Sequence, residues 1–187
     1  MKKLLFHICC APCATYVSRE RLAPRYELTW YFYNPNLLSA EEYERRLDAV
    51  RQMADQFSWP LIIEPYDHAP WQAFADCRAA DPERGLRCRL CYADRLARTA
   101  RLAREKGFDL FGTSLAVSPY KDTAAILSLG QSLAAAGGPA WLAEDLQSDN
   151  AFRNSQALAR ELGLYRQKFC GCEYSLNPQT CVIPSAV

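Results

Sequence analysis

Long hydrophobic runs are missing from this chain. Only a handful of apolar residues separates Met1-Lys2-Lys3 from the first cysteines, too few for a signal-peptide core, and no later run approaches the roughly 20 residues of a membrane span. Surplus charge is missing too: 22 Lys and Arg face 21 Asp and Glu, so the whole-chain balance of +1 does not by itself point to nucleic acid. Internal repeats, low-complexity stretches and domain boundaries are also absent, and 187 residues read as one domain with room for a substantial core. The expected location is the cytoplasm, where thiols stay reduced.

Cysteine, by contrast, is abundant. Nine in a chain that is neither small nor evidently secreted need a reason other than disulfide stapling, and an odd count with paired short spacings points to metal binding or redox chemistry. Cys9-Cys10-Ala11-Pro12-Cys13 follows Lys3 to Ile8, which reads as a buried first strand. Three thiols therefore sit at the carboxyl end of a strand, where open parallel α/β sheets bind ligands.

The rest of the chain supports such a sheet. Tyr26–Tyr33, Pro60–Pro65, Asp109–Leu115 and the short Ala140–Leu142 read as further strands. Helices are expected over Ala14–Leu22, after the cap Ser39, around Trp71–Cys77, over Cys91–Lys106, after Asp122 and over Asn154–Leu162. In the second of these, Tyr43, Leu47, Val50, Ala54 and Phe57 form the apolar stripe, with Glu41–Arg45 and Glu42–Arg46 as i,i+4 pairs on the wet side. The alternation defines a single-domain α/β fold, a parallel sheet flanked by helices, over residues 1–176. The tail 177–187, with two prolines and no periodicity, is expected to be loosely ordered.

Cys88-Arg89-Leu90-Cys91 opens a mid-chain helix, which puts two thiols on one side, as metal ligation requires. Adjacent side chains of an extended segment diverge, so Cys9 and Cys10 suit the separate irons of a cubane better than two corners of one zinc site. A [4Fe–4S] cluster on Cys9, Cys10, Cys88 and Cys91 and a structural zinc both remain open on spacing alone. In Cys170-Gly171-Cys172 the glycine lets two sulfurs meet, either as a labile disulfide or on a metal. Cys77 stands alone and reads as an apolar filler, and Cys181, alone in the tail, is assigned no role. His7 alternates within a strand and reads as a satisfied histidine of the core or its rim, and nothing distinguishes His68. Ser118-Pro119-Tyr120-Lys121-Asp122 follows a strand and opens a helix; Lys121 and Asp122 suit ion pairing or proton transfer, or the turn is simply a helix cap.

Charge is uneven locally. Between Arg78 and Arg104 stand eight arginines against three acids, and Arg95, Arg98, Arg101 and Arg104 recur every third residue. Such a face suits phosphate, and Arg45, Arg46 and Arg51 could extend it.

The combination of Cys9-Cys10-Ala11-Pro12-Cys13, Cys88-Arg89-Leu90-Cys91, Ser118–Asp122 and Leu162–Ser175 (LGLYRQKFCGCEYS), in that order from Leu4 to Leu176, resembles the epoxyqueuosine reductase family QueH. The resemblance implies a Rossmann-like fold related to adenine-nucleotide α-hydrolases. It also implies a cobalamin-independent oxidoreductase that removes the epoxide oxygen of epoxyqueuosine at the tRNA wobble position, the last step of queuosine synthesis. By position it makes Cys9, Cys10, Cys88 and Cys91 the [4Fe–4S] ligands and Cys170 with Cys172 a redox-active pair. One additional iron beside the cluster would take its ligands from among Cys9, Cys13, Cys170 and Cys172, which would place Cys13 among the metal ligands and alter the set of four. The partners implied are tRNA carrying epoxyqueuosine and an external low-potential electron donor, with no membrane.

Two rivals stand beside this reading. A nucleotide-dependent tRNA sulfur-transfer enzyme would need a glycine-rich pyrophosphate loop after the first strand, but residues 9–13 contain no glycine, which argues against ATP there. A zinc-stabilised RNA-binding module would be colourless and free of acid-labile sulfide.

Overall fold

The computed structural model describes residues 1–176; the expected loose tail and Cys181 lie outside them. Five strands form one wholly parallel sheet, β1 (Lys2–His7), β2 (Tyr26–Phe32), β3 (Leu61–Ile63), β4 (Leu110–Thr113) and β5 (Ala140–Trp141), in the order β3-β2-β1-β4-β5. Each strand is a short run of branched or aromatic residues, and the central ones are buried on both faces, as parallel strands require. Leu4, Leu5, Phe6, Trp30, Tyr31, Phe32 and Phe111 are fully buried and make the centre of the core.

Six α-helices flank the sheet among the described residues: α1 (Ala11–Val17), α2 (Ala40–Gln56), α3 (Ala69–Asp76), α4 (Leu86–Glu105), α5 (Thr123–Ala135) and α6 (Ala151–Glu161). α1 runs into a π turn at Ser18–Leu22, where the Ser18 hydroxyl accepts from the Trp30 indole at 2.9 Å. Ser39 caps α2 by accepting from the Glu42 amide at 3.2 Å. Glu41–Arg45 lies in solvent as the sequence suggests. Glu42–Arg46 does not: both side chains are buried beneath the 165–171 segment, where Tyr165 donates to Glu42 at 2.7 Å and Arg46 donates to the Cys170 carbonyl at 3.0 Å. Among the described residues no helix is long and apolar enough to cross a membrane.

The strand order places the site. β1 is followed in sequence by its neighbour β2 on one side, while the chain later returns to its other side with β4, so the connections after β1 and β4 part in opposite directions. That switch point is where open α/β sheets form a crevice beyond the strand ends. Cys9–Cys13 leaves the end of β1, and Ser114–Asp122 leaves the end of β4, so both motifs face one crevice.

Candidate active site

The first thiol group is built by the β1–α1 turn. The Cys9 amide donates to the Ser114 hydroxyl at 2.9 Å, tying the turn to the end of β4, and Cys10 is the extended residue that starts α1. The sulfurs of Cys9, Cys10 and Cys13 all lie within 4.8 Å of one another, with Cys9 and Cys10 3.8 Å apart. The divergence expected of adjacent cysteines therefore does not occur, because the chain turns into the helix between them. Hydrogen bonds with Cys10 and Cys13, aided by the Ser114 hydroxyl, hold the Cys9 thiol well below its usual range against the opposing effect of burial. Cys10 is drawn down by Cys13 but pushed up more by its bond to Cys9 and by burial, to about 12. Cys13 is raised by its bonds to Cys10 and Cys9 and by burial. Within the triad Cys9 is thus the thiol whose ionised form is favoured, and Cys10 and Cys13 are the ones whose ionised form is disfavoured. Gln167 donates to the Cys10 sulfur at 2.8 Å.

Cys88 and Cys91 lie on the first turns of α4, as the CxxC spacing suggests, but neither joins the close triad. Burial raises both thiols, and the negative charge of Cys170 adds to the rise in each, which places the two groups in electrostatic contact. Arg95, one turn beyond Cys91, donates to the Cys91 sulfur at 3.2 Å and to Asn34 at 3.4 Å.

Cys170 and Cys172 are free thiols, so the disulfide considered for them is not present. Lys121 reaches from the β4–α5 connection to put its ammonium 2.6 Å from the Cys170 sulfur. The bond from Cys172, then the charge and hydrogen bond of Lys121 and the charge of Arg95, overcome burial and hold Cys170 well below the usual thiol range. Burial works against the Lys121 charge, but the Cys170 thiolate outweighs it and raises Lys121 above its ordinary value. Cys172 is raised by its bond to Cys170. Gly171 makes the tight pair possible: its φ is +131°, and a Cβ there would stand 2.6 Å from Leu37.

A cavity of about 700 Å³ opens over these groups. Cys9, Cys10, Cys13, Lys121 and Cys170 line it, whereas Cys88, Cys91 and Cys172 are not among its lining residues. Asp122 does not face it; its carboxylate accepts from the Ala125 amide at 3.1 Å as the cap of α5 and pairs with Arg89 at 3.1 Å. His7 is buried and satisfied, between Thr113 at 2.7 Å and the Tyr33 carbonyl at 2.9 Å, and burial with the nearby Arg95 charge lowers it to about 4. His68 bonds the Pro35 carbonyl at 2.7 Å. Sequence reasoning missed Arg46, Glu83, Arg95 and Gln167 as cavity residues. For Arg95 a signal existed, since it stands four residues after Cys91 on the same helix face.

The arginine face expected on α4 is dispersed by packing. Arg95 is buried at the thiols, Arg98 pairs with Glu64 at 2.7 Å, and Arg101 lies 3.9 Å from Glu105. Arg45, Arg46 and Arg51 on α2 are paired with acids as well.

Fold and site together define a cysteine-centred α/β protein whose phosphate-loop position is occupied by thiols. The sequence model of the family described as Epoxyqueuosine reductase QueH matches residues 4–178. Curated relatives named Epoxyqueuosine reductase QueH include those of Streptococcus pyogenes serotype M1, 34% identical over 94% of this chain and 71% of the relative, and Thermotoga maritima, 32% identical over 94% and 91%. A third, from Dehalococcoides mccartyi, is 33% identical over 92% of both chains. The chain belongs to the epoxyqueuosine reductase QueH family.

The donor set can be tested against the metal groups considered above. Thiolate-only sites select iron–sulfur clusters, zinc and other soft metals, so the chemistry fits. The triad is close-set: one tetrahedral ion with metal–sulfur bonds of about 2.3 Å holds its sulfurs about 3.8 Å apart, the spacing of Cys9 and Cys10. Cys88 and Cys91 lie outside the triad, so a cubane would need them as its further ligands.

Proposed function

We propose that this chain reduces the epoxide of epoxyqueuosine at the tRNA wobble position to the cyclopentene of queuosine, in the cytoplasm, without cobalamin. The observation that carries the reading is the meeting of a cysteine triad and a lysine-held thiolate in one cavity large enough for a nucleoside, in a chain of this family. Cys9, Cys10, Cys88 and Cys91 would hold a [4Fe–4S] cluster, and the close spacing of the triad favours one further iron served by Cys13. When bound, the cluster supplies electrons one at a time from an external low-potential donor.

The chain's own residues balance the reaction. Loss of the epoxide oxygen as water consumes two electrons and two protons. Oxidation of Cys170 and Cys172 to a disulfide would release two electrons and the proton on Cys172. Lys121 holds the second proton at its Nζ, beside Cys170. Two electrons from the external donor with two protons from solvent would then restore the thiol pair and the Lys121 ammonium. Asp122 is taken up in capping α5 and pairing with Arg89, so among the two residues first considered for proton transfer the geometry favours Lys121.

Anaerobic incubation of the iron-loaded chain with epoxyqueuosine-tRNA and a low-potential reductant tests the reading by mass spectrometry of the released nucleoside. The expected product lacks one oxygen. Recovery of intact epoxyqueuosine from fully loaded protein rejects the reductase, and colourless protein with one zinc per chain and no acid-labile sulfide rejects the cluster.

A further inference from the structure

The cations that packing leaves without acidic partners point to where the RNA is gripped. On α2 and α4, away from the cavity lining, Arg45, Arg51 and Arg98 are neutralised by carboxylates at 2.5–3.4 Å. At the cavity the pattern reverses. Arg153 and Arg160 on α6, with Arg166 and Lys168 on the following segment, are exposed, line the cavity and have no salt bridge among the described residues. Glu83 is the one acid among the described lining residues. Arg153 and Arg160 stand two helical turns apart on one face, about 10 Å along the axis. Beside them Tyr120 and Phe152 meet edge to face, their centroids 5.6 Å apart, and both also line the cavity.

Unpaired cations next to accessible aromatic rings are what single-stranded RNA needs: charge for the backbone and a ring for an unstacked base. The thiols lining the cavity are buried or half-buried while the four cations are exposed, so a base reacting there must leave its stack, and its flanking phosphates then fall among the cations. We infer that α6 and residues 165–169 form the RNA clamp, with Arg153, Arg160, Arg166 and Lys168 on phosphates flanking a base splayed into the cavity and the Tyr120–Phe152 edge against that base. This rests on the tRNA reading above and moves the RNA from the α4 face to α6.

The test is anaerobic fluorescence anisotropy of the full chain with a labelled, unmodified anticodon stem–loop, repeated over a range of KCl concentrations. Each phosphate contact on a single strand contributes about 0.7 to the slope of log affinity against log salt. The double variants Arg153→Gln/Arg160→Gln and Arg166→Gln/Lys168→Gln should each flatten that slope by about 1.4. The α4 control Arg101→Gln/Arg104→Gln should leave it unchanged. Wild-type slopes in both clamp variants, or an equal flattening in the α4 control, overturn the clamp. The two readings fail separately because this RNA carries no epoxide. Clamp-dependent binding by protein that leaves epoxyqueuosine intact sinks the reductase alone, and epoxide reduction by clamp variants with wild-type salt slopes sinks the clamp alone.

Discussion

The two thiol groups of the cavity each set a lowered cysteine beside raised ones, and they do so by different physics. At Cys9 the negative charge is shared through hydrogen bonds from Cys10, Cys13 and Ser114, and no ammonium or guanidinium is bonded to the triad among the described residues. At Cys170 a buried ammonium stands 2.6 Å away and Arg95 adds its charge. Cys10 and Cys13, both raised, give up their protons readily only to a metal ion, whose charge replaces them. A thiolate already paired with an ammonium needs no metal to stay ionised, and it is poised to react or to form a disulfide. On the proposed function, one residue type would serve ligation at the triad and redox chemistry at Cys170, according to whether sulfur or nitrogen is the nearest neighbour.

Crossing the two groups gives the largest expected effect. Cys88→Ala should abolish the iron–sulfur absorption and the acid-labile sulfide together with turnover. Cys170→Ser should keep the full spectrum and sulfide content and reduce turnover to background. An unchanged visible spectrum in the first variant, or wild-type rates in the second, would erase the distinction between ligand and redox thiols.

The sheet was legible in the sequence because each strand is a short apolar run and several connections carry a cap or a glycine, such as Ser39 before α2, Gly107 after α4 and Asp122 before α5. The β1–α1 thiols and the CxxC were legible for the same reason, since their spacing is local. What the sequence could not show is which charges packing would remove from solvent. Glu42–Arg46 has the same spacing as Glu41–Arg45, yet one pair is buried and the other exposed, because residues 165–171 fold across only the first. Arg95 looked like one of four arginines on an outer face, but it is the residue that α4 turns toward Cys91. The Lys121–Cys170 contact joins residues 49 apart in the chain, and no pattern in either neighbourhood announces it.

Removing the ammonium should make the second thiol group behave more like the first. In Lys121→Met, Cys170 loses both a charge and a hydrogen bond that favour its thiolate, so its pKa rises toward the ordinary thiol range. Alkylation follows the thiolate fraction. In the wild type the Cys170 rate should therefore stay nearly flat as pH falls through neutrality, and in the variant it should decline from the alkaline side. At pH 7 the expected difference is about tenfold or more, read by peptide mass mapping after brief iodoacetamide treatment. Equal pH profiles would show that Cys172 and Arg95 suffice to hold the thiolate.

A smaller effect is expected where geometry rather than charge sets the pair. Gly171 has a φ of +131°, its carbonyl accepts from the Leu38 amide at 2.9 Å, and its missing Cβ leaves room for Leu37 and for the Arg46 guanidinium. Gly171→Ala forces the backbone out of that conformation or pushes Leu37 aside, at a cost of about 1–3 kcal/mol in stability. Arg46 also holds the Phe169 and Cys170 carbonyls, so the displacement passes to the thiol pair and not to the β1–α1 turn. The variant should therefore unfold at lower denaturant and turn over several-fold more slowly, while its iron and sulfide content stays at the wild-type level. Loss of iron in step with turnover would show that the two thiol groups are mechanically one.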